Sequence, residues 1–353
     1  MRLASAALIT AAALLPTTAL ADAIIGSWNI KHMGWNNDKA MAEVAHVAQH
    51  FDFLAVQELM DPTALSQLEQ AVEAASGESW SSMASDDLGR STYREHYGFL
   101  WRESEIEYDS GAVVFLDSRD VFAREPYSAK FTALESGQQF AAATVHVVYG
   151  DSVGDRLPEI EALADYWGWL EEVYPNTPRL LLGDFNLPPH HSGWSELREL
   201  GATPAITEGA TTLGTTNGVW ANLYDNIWHD DTAAITAKGI IQFPDLLPGE
   251  HTAVRDSVSD HAPVWVALSG AELELTAFDG SAYEAANDSV YCIDLNDATA
   301  KQLDELPNVG PARADQIIDM RPWGSVSDLS RVSGLGAASV KDIEDSGLAC
   351  NVN

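Results

Sequence analysis

Short apolar runs that end abruptly at a polar residue recur through the first three quarters of the chain. Ala23-Ile24-Ile25-Gly26-Ser27-Trp28 leads to Asn29, and Phe51-Asp52-Phe53-Leu54-Ala55-Val56 leads to Gln57 and Glu58. Arg179-Leu180-Leu181-Leu182-Gly183 leads to Asp184, Phe185 and Asn186. Runs this short and this apolar predict strands, and the polar exits fall where those strands must stop. His146 lies in a similar run at residues 140–148, Asp225 in one at 223–228, and Asp260 and His261 open the run that closes at Leu268. Helical spacing of apolar residues takes over at residues 39–50, 63–75 and 157–173. The alternating stretch at 93–102 and the runs at 111–116 and 140–148 predict neighbouring strands of a mainly antiparallel sheet. Strands alternating with helices, with polar chemistry confined to strand ends, predict an α/β fold of two packed sheets flanked by helices. Its active groups should then gather along one edge.

The stretch ending in Asp184-Phe185-Asn186 is the most pointed of these. Side chains alternate across a strand, so positions 184 and 186 are expected to face one way and converge on a hard cation or a phosphate, while Phe185 turns into the core. The alternative is an Asx turn that closes a core strand and does no more. Taken alone, His146 inside its strand likewise reads as a satisfied core histidine.

Length and charge change the picture in two ways. The 353 residues exceed one core of about 250 residues and leave room for a small second domain. Arg2, an uncharged run at 4–15 and the small-x-small pattern Ala19-Leu20-Ala21 read as a signal peptide over residues 1–21, too short to span a bilayer. An exported protein, secreted or periplasmic, is expected, with no membrane partner. Cys292 and Cys350 are the only two cysteines, and in an exported chain they are expected to form a disulfide. Fifty-three acids against nineteen bases give a net charge of −34, which by itself argues against a nucleic-acid partner. Salty surroundings offer another reason for that charge, since the Debye length shrinks from about 8 Å at physiological ionic strength to about 3 Å at roughly 1 M.

Trp28-Asn29-Ile30, Gln57-Glu58, Tyr93-x-Glu95, His146, Gly183-Asp184-Phe185-Asn186, Tyr224-Asp225-Asn226-Ile227 and Ser259-Asp260-His261, in this order, resemble the endonuclease/exonuclease/phosphatase family. Residues 93–102 and Arg124-Glu125-Pro126 are similar to its deoxyribonuclease I branch. The resemblance spans a domain at 22–270 and implies a four-layered α/β sandwich that hydrolyses phosphodiesters with Mg²⁺, or with Mn²⁺ or Ca²⁺. It implies that His146 paired with Glu95, and His261 paired with Asp225, serve as acid and base. Glu58 would be the main metal ligand, helped by Asn29 and Asp260, while Asp184 and Asn186 would bind metal or the scissile phosphate. Tyr93 and Arg124 would hold substrate. Where that branch places an arginine just after the Gln-Glu pair, this chain has Leu59-Met60.

Residues 271–290 hold acids, no base and many small residues, the composition of a linker. Beyond it, at 291–353, Leu306-Pro307-Asn308-Val309-Gly310-Pro311-Ala312-Arg313 and Val332-Ser333-Gly334-Leu335-Gly336-Ala337 form an internal repeat. The two halves resemble tandem helix-hairpin-helix motifs and imply a small all-α domain. A glycine turn before a helix offers backbone N–H groups to a phosphate without reading bases, so Gly310, Arg313, Gly334 and Gly336 are the expected contacts. The reading that follows is a monomeric, metal-dependent endonuclease acting on double-stranded DNA with little sequence preference. Two alternatives stand beside it: a phosphoesterase of the same fold acting on lipid headgroups or small phosphates, and a DNA-capturing protein without catalysis.

Overall fold

The computed structural model describes residues 23–35, 39–91, 93–279, 293–296, 298–304, 306–346 and 348–349. The expected signal peptide, Cys292 and Cys350 lie outside the described residues. Two six-stranded sheets form the larger part. The first runs β11 (Ile235–Ile240), β12 (Val264–Leu268), β1 (Ile24–Met33), β2 (Phe53–Leu59), β4 (His96–Arg102), β3 (Trp80–Ala84). The second runs β5 (Ile106–Val114), β6 (Tyr127–Ala133), β7 (Gln138–His146), β8 (Arg179–Asp184), β10 (Asp225–His229), β9 (Thr203–Pro204).

Each sheet is antiparallel apart from one central parallel pair, β1 with β2 and β7 with β8. A parallel pair needs a crossover, here α1 (Met41–Ala48) in the first sheet and α3 (Val153–Val173) in the second. The crossovers leave the carboxyl ends of each pair side by side at one edge, where open α/β sheets place their ligands. Asn29, Glu58, His146 and Asp184 are brought together in this way.

Three apolar layers hold the sandwich. Phe53, Phe99, Phe131, Phe140, Leu180 and Leu182 fill the space between the sheets. Leu181 points the other way, onto α3, with Ile160, Leu163 and Trp167. Leu54 and Val56 pack under α1 and α2 (Pro62–Ser76). Three consecutive leucines therefore serve two layers, as the period-two alternation of a doubly covered strand requires. Gly183 is fixed by closeness: a Cβ there would stand 1.9 Å from the Val145 carbonyl oxygen of β7, so only glycine lets β8 pair at this point and deliver Asp184.

Residues 271–279, expected from composition to open a linker, are packed against the larger part. Ala271 is buried, and Leu273 and Phe278 pack on the layer beneath α1. His46 lies 2.9 Å from the Thr276 carbonyl, and the Thr276 N–H donates to His50 Nε2 at 3.1 Å. The acidic stretch is thus anchored at 271–279 by the few apolar residues it does contain.

The C-terminal part has its own core, including Leu303, Leu306, Val309, Leu335, Val340 and Ile343. Helix α4 (Ala300–Asp304) turns through Asn308, at φ +62°, into α5 (Pro311–Asp319). A 3-10 helix at Val326–Arg331 turns through Gly334, at φ +88°, into α6 (Ala337–Ser346). In both halves a buried apolar residue, Val309 or Leu335, precedes the exposed glycine, Gly310 or Gly336. Ile293 and Ala349, next to the two cysteines, pair as an isolated bridge.

Candidate active site

The site begins with irregularities near the ends of β1 and β2, where the strand register shifts, and with the turn that follows β8. Lys31, His32, Glu58 and Asn186 all adopt left-handed backbone, unusual for side chains other than glycine. Three of their N–H groups are redirected onto site side chains: Lys31 N to Asn29 Oδ1 at 2.9 Å, His32 N to Glu58 Oε2 at 3.0 Å, and Asn186 N to Asp184 Oδ1 at 2.9 Å. The last contact is the Asx turn, so turn and site are the same feature here. Asn186 lines the cleft from the Asx turn and not by strand alternation, because β8 ends at Asp184; its amide donates to the Val147 carbonyl at 2.9 Å.

Around Asp184 the groups converge. Asn29 Nδ2 bridges Glu58 Oε1 at 3.0 Å and Asp184 Oδ2 at 3.1 Å. His146 Nε2 stands 3.6 Å, and His261 Nε2 3.7 Å, from the same Asp184 oxygen. Behind each imidazole is a buried carboxylate, Glu95 at 2.8 Å from His146 Nδ1 and Asp225 at 2.8 Å from His261 Nδ1. Both pairs implied by the family resemblance are formed, and both leave Nε2 facing Asp184.

Electrostatics follow from burial among like charges. Burial alone would lower both histidines, yet Glu95 raises His146, and Asp225 and Asp184 raise His261 well above the ordinary imidazole value. Burial works against ionised Glu95, but His146 and Arg124 hold its carboxyl below the usual range. Burial pushes Asp225 up to about 6 against the pull of His261, with Asp184 adding to the rise.

Two expected residues stand differently. Asp260 Oδ2 accepts from Arg255 at 3.0 Å and lies 3.8 Å from Lys31 Nζ, so cations already neutralise the group assigned to a metal. Arg124 is buried, with its guanidinium donating to the His146 carbonyl at 2.8 Å and lying 3.2 Å from Glu95. It positions a dyad as well as lining the cleft. Tyr93 lines the cleft with its hydroxyl 3.4 Å from Glu95 Oε2.

Three contributors had no pattern in the sequence. Arg156 of α3 donates to the Asn186 carbonyl at 2.6 Å and the Tyr149 carbonyl at 2.7 Å. Glu159, one turn on, accepts from Ala123 N–H at 2.8 Å and Val148 N–H at 3.0 Å, tying together the loops that carry Arg124 and follow His146. The Thr211 hydroxyl oxygen accepts from Asp225 N–H at 3.1 Å. Of the three, only Glu159 falls within the stretch whose spacing predicts a helix, 157–173.

The donor set was tested for a metal. Asp184, Asp225 and His261 each present an atom within 4.8 Å of the others, and Asp225 Oδ1 is buried with no hydrogen-bond partner. Carboxylate oxygens in such excess fit a hard divalent cation, with Glu58 and Asn29 alongside. In the small domain, Arg313 donates to the Asn308 carbonyl at 2.6 Å and its guanidinium lies against Gly334, so it joins the two hairpin turns.

Two carboxylate-oriented imidazoles facing a carboxylate-lined cleft of about 480 Å³, on a four-layered sandwich, define the endonuclease/exonuclease/phosphatase class. The comparisons agree. A protein named deoxyribonuclease from Thioalkalivibrio sp. (strain K90mix) is 48% identical over 96% of this chain and 95% of its own length. Human deoxyribonuclease-1 is 28% identical over 76% of this chain and 99% of its own. An endonuclease/exonuclease/phosphatase family protein from Bacteroides thetaiotaomicron superposes with a TM-score of 0.53 at 15% identity, over 69% of this chain and 96% of that one. A helix-hairpin-helix motif family matches residues 290–346. The chain belongs to the deoxyribonuclease I-like branch of the endonuclease/exonuclease/phosphatase family, with a helix-hairpin-helix module at its C-terminus. By family, fold and site it is a phosphoesterase.

Proposed function

We infer that this protein is an exported, divalent-metal-dependent endonuclease that hydrolyses DNA with little sequence preference. The observation that carries this reading is the approach of two carboxylate-backed Nε2 atoms to one oxygen of Asp184, at 3.6 and 3.7 Å. In-line attack on phosphorus needs one proton removed from water and one delivered to the leaving oxygen. One imidazole takes the first at Nε2 and the other returns the second, each held in tautomer and direction by its carboxylate. Asp184, Glu58, Asn29 and Asp225 would hold the metal, which supplies positive charge to the phosphate oxygens. Asn186 and Tyr93 border the reacting phosphate, and Arg124 keeps the Glu95–His146 pair aligned.

The hairpin module favours nucleic acid over lipid headgroups or small phosphates. Its two exposed glycine turns, Gly310 and Gly336, each precede a helix and suit a duplex phosphate backbone. Cys292 and Cys350 would staple this module, whose flanking residues Ile293 and Ala349 already pair.

Purified protein should nick plasmid with Mg²⁺ or Mn²⁺ and not with EDTA, and it should leave sphingomyelin intact, with His146→Ala and His261→Ala as silent controls. Sphingomyelin turnover without plasmid cutting would replace DNA by lipid as the substrate. N-terminal sequencing of protein from periplasm and medium tests export, with a mature start near Asp22 expected.

A further inference from the structure

The cleft is poor in available charge. The two arginines that line it are committed, Arg124 to the His146 carbonyl and Glu95, and Arg255 to Asp260 and Asp256. Across the chain the net charge is −34. A polyanion needs some other source of affinity here.

One exposed aromatic ring lines this cleft and a second stands beside it, each following a strand of a different sheet. Trp35, just after β1, is 49% exposed. Its ring lies 4.7 Å from His32, tilted by 30°, and meets the cleft residue Tyr93 edge-on at 5.7 Å. His32 in turn contacts Glu58, so this ring adjoins the metal-side carboxylates. Tyr149, just after β7, is 58% exposed and lines the cleft directly. The Arg156 guanidinium sits 4.3 Å from its centroid, and Tyr224 is 6.5 Å away. Each ring is thus backed by a flat cationic or heteroaromatic partner and still has half or so of its surface open.

The rings are also held in place. Gly34, at φ +100°, brings the chain so close to α2 that a Cβ would meet Asp61 Cβ at 2.9 Å, which fixes the turn into Trp35. Arg156 Nε binds the Tyr149 carbonyl at 2.7 Å while its guanidinium supports the ring. A single exposed aromatic is ordinary. One lining the cleft and one against its lining residue Tyr93, each backed and each pinned, make a built feature.

We propose that Trp35 and Tyr149 are nucleobase-stacking platforms that take unpaired bases flanking the scissile phosphate, so that the catalytic domain favours DNA strands whose bases are not locked in a duplex. In a duplex both faces of an internal base are covered by its neighbours; only unpaired bases present a face to a protein ring. Stacking is sequence-tolerant because every base has a π-face, and it does not depend on counterion release, which an acidic surface cannot exploit. The proposal rests on the reading of the site as a nuclease.

The test uses the full-length protein and the variants Trp35→Leu, Trp35→Phe and Tyr149→Leu. The substrates are a short oligothymidylate, a hairpin duplex of equal length and an abasic deoxyribose-phosphate oligomer. Trp35→Leu and Tyr149→Leu should each lower the single-strand to duplex ratio of kcat/KM by about tenfold, near the low end of one base-aromatic stack, mostly through KM. Trp35→Phe should retain most of the ratio, and the abasic oligomer should not distinguish wild type from Trp35→Leu. Ratios within about twofold of wild type, or an equal loss on the abasic oligomer, would overturn the platforms. Anisotropy of labelled oligothymidylate in EDTA gives a second arm. If wild type cuts no DNA the nuclease reading fails, yet a matching loss of affinity in Trp35→Leu would still support stacking, and unchanged affinity would end it.

Discussion

Asp184 is the residue on which both imidazoles and the Asn29 amide converge, which makes the two histidines separable from the fold but not from each other. His146→Ala or His261→Ala should lower turnover by about 10² to 10⁴, the worth of a positioned acid or base, with thermal unfolding little changed. Wild-type plasmid cutting by either variant would remove that histidine from the chemistry. Glu95→Gln tests the charge behind His146. Glu95 holds the imidazole above its ordinary value, while burial and Arg124 push it down. Without the carboxylate charge the His146 pKa must fall, so its limb of the pH profile of kcat/KM should move to lower pH; a limb that stays put would assign it to another group. Residue by residue, Glu58 and Asp184 stand out as polar exits from apolar runs, but each run alone also fits a structural turn, and His146 alone fits a core histidine; it is the ordered set of motifs, and the family resemblance it carries, that singles them out together. Arg156 and Glu159 were not legible, since burial of a charge on a helix depends on loops that pack over it. The aim of Asp260 also escaped, because it is set by Arg255, five positions earlier and on another turn.

At the scale of elements, β1, β2, β7, β8, β10 and β12 lie where apolar runs predict strands, but β4 pairs with β2 and β3 and not in the sheet of β5 and β7, and β6 between those two carries no prediction. β8 and β2 announce themselves by unbroken apolar runs, whereas β3, with Ser81 and Ser82 at its middle, and β11, with Thr236 and Lys238, lie at sheet edges and show only weak alternation. Acid-rich composition likewise hid the anchoring of 271–279, because Leu273 and Phe278 are few and far apart. Its docking should depend on pH. Burial lowers His46 and His50 below the ordinary imidazole value of 6.5, and His50 Nε2 must be unprotonated to accept the Thr276 N–H. A lowered histidine contributes stability that is complete above about 6.5 and is lost as pH falls from there toward the folded value. The thermal midpoint should therefore drop on acidification through that window, and His50→Gln, which keeps an acceptor but does not titrate, should flatten the drop. An identical slope in the variant would place the acid sensitivity elsewhere.

The whole molecule is an acidic catalyst joined to a hairpin module that is acidic too, with Lys301, Arg313, Arg321, Arg331 and Lys341 outnumbered by acids. Repulsion between a protein at −34 and DNA acts over a Debye length, so added NaCl up to several hundred millimolar should leave the rate level or raise it, where cation-rich nucleases lose affinity steeply. A rate that falls from low salt onward would assign the acidic surface another purpose. The module's contribution follows from covalent connection: once its turns hold a duplex, the attached catalytic domain meets that DNA at an effective concentration that can reach about millimolar, which makes weak contacts useful. The informative truncation is after Asp279 and not after Gly270, because the earlier cut also strips Leu273 and Phe278 from the core and confounds binding with stability. Ending the chain at Asp279 should raise KM for plasmid, leave turnover unchanged, and spare oligonucleotides too short to touch both parts. Reducing the proposed Cys292–Cys350 bridge should mimic the truncation if the bridge holds the module together, since so small a core has little stability to spare. Steady-state kinetics on plasmid and on a short duplex, for the full chain, the truncated chain and the reduced chain, separate these effects. Equal kcat/KM on plasmid for full-length and truncated protein would show that the module does not hold substrate for the catalytic domain.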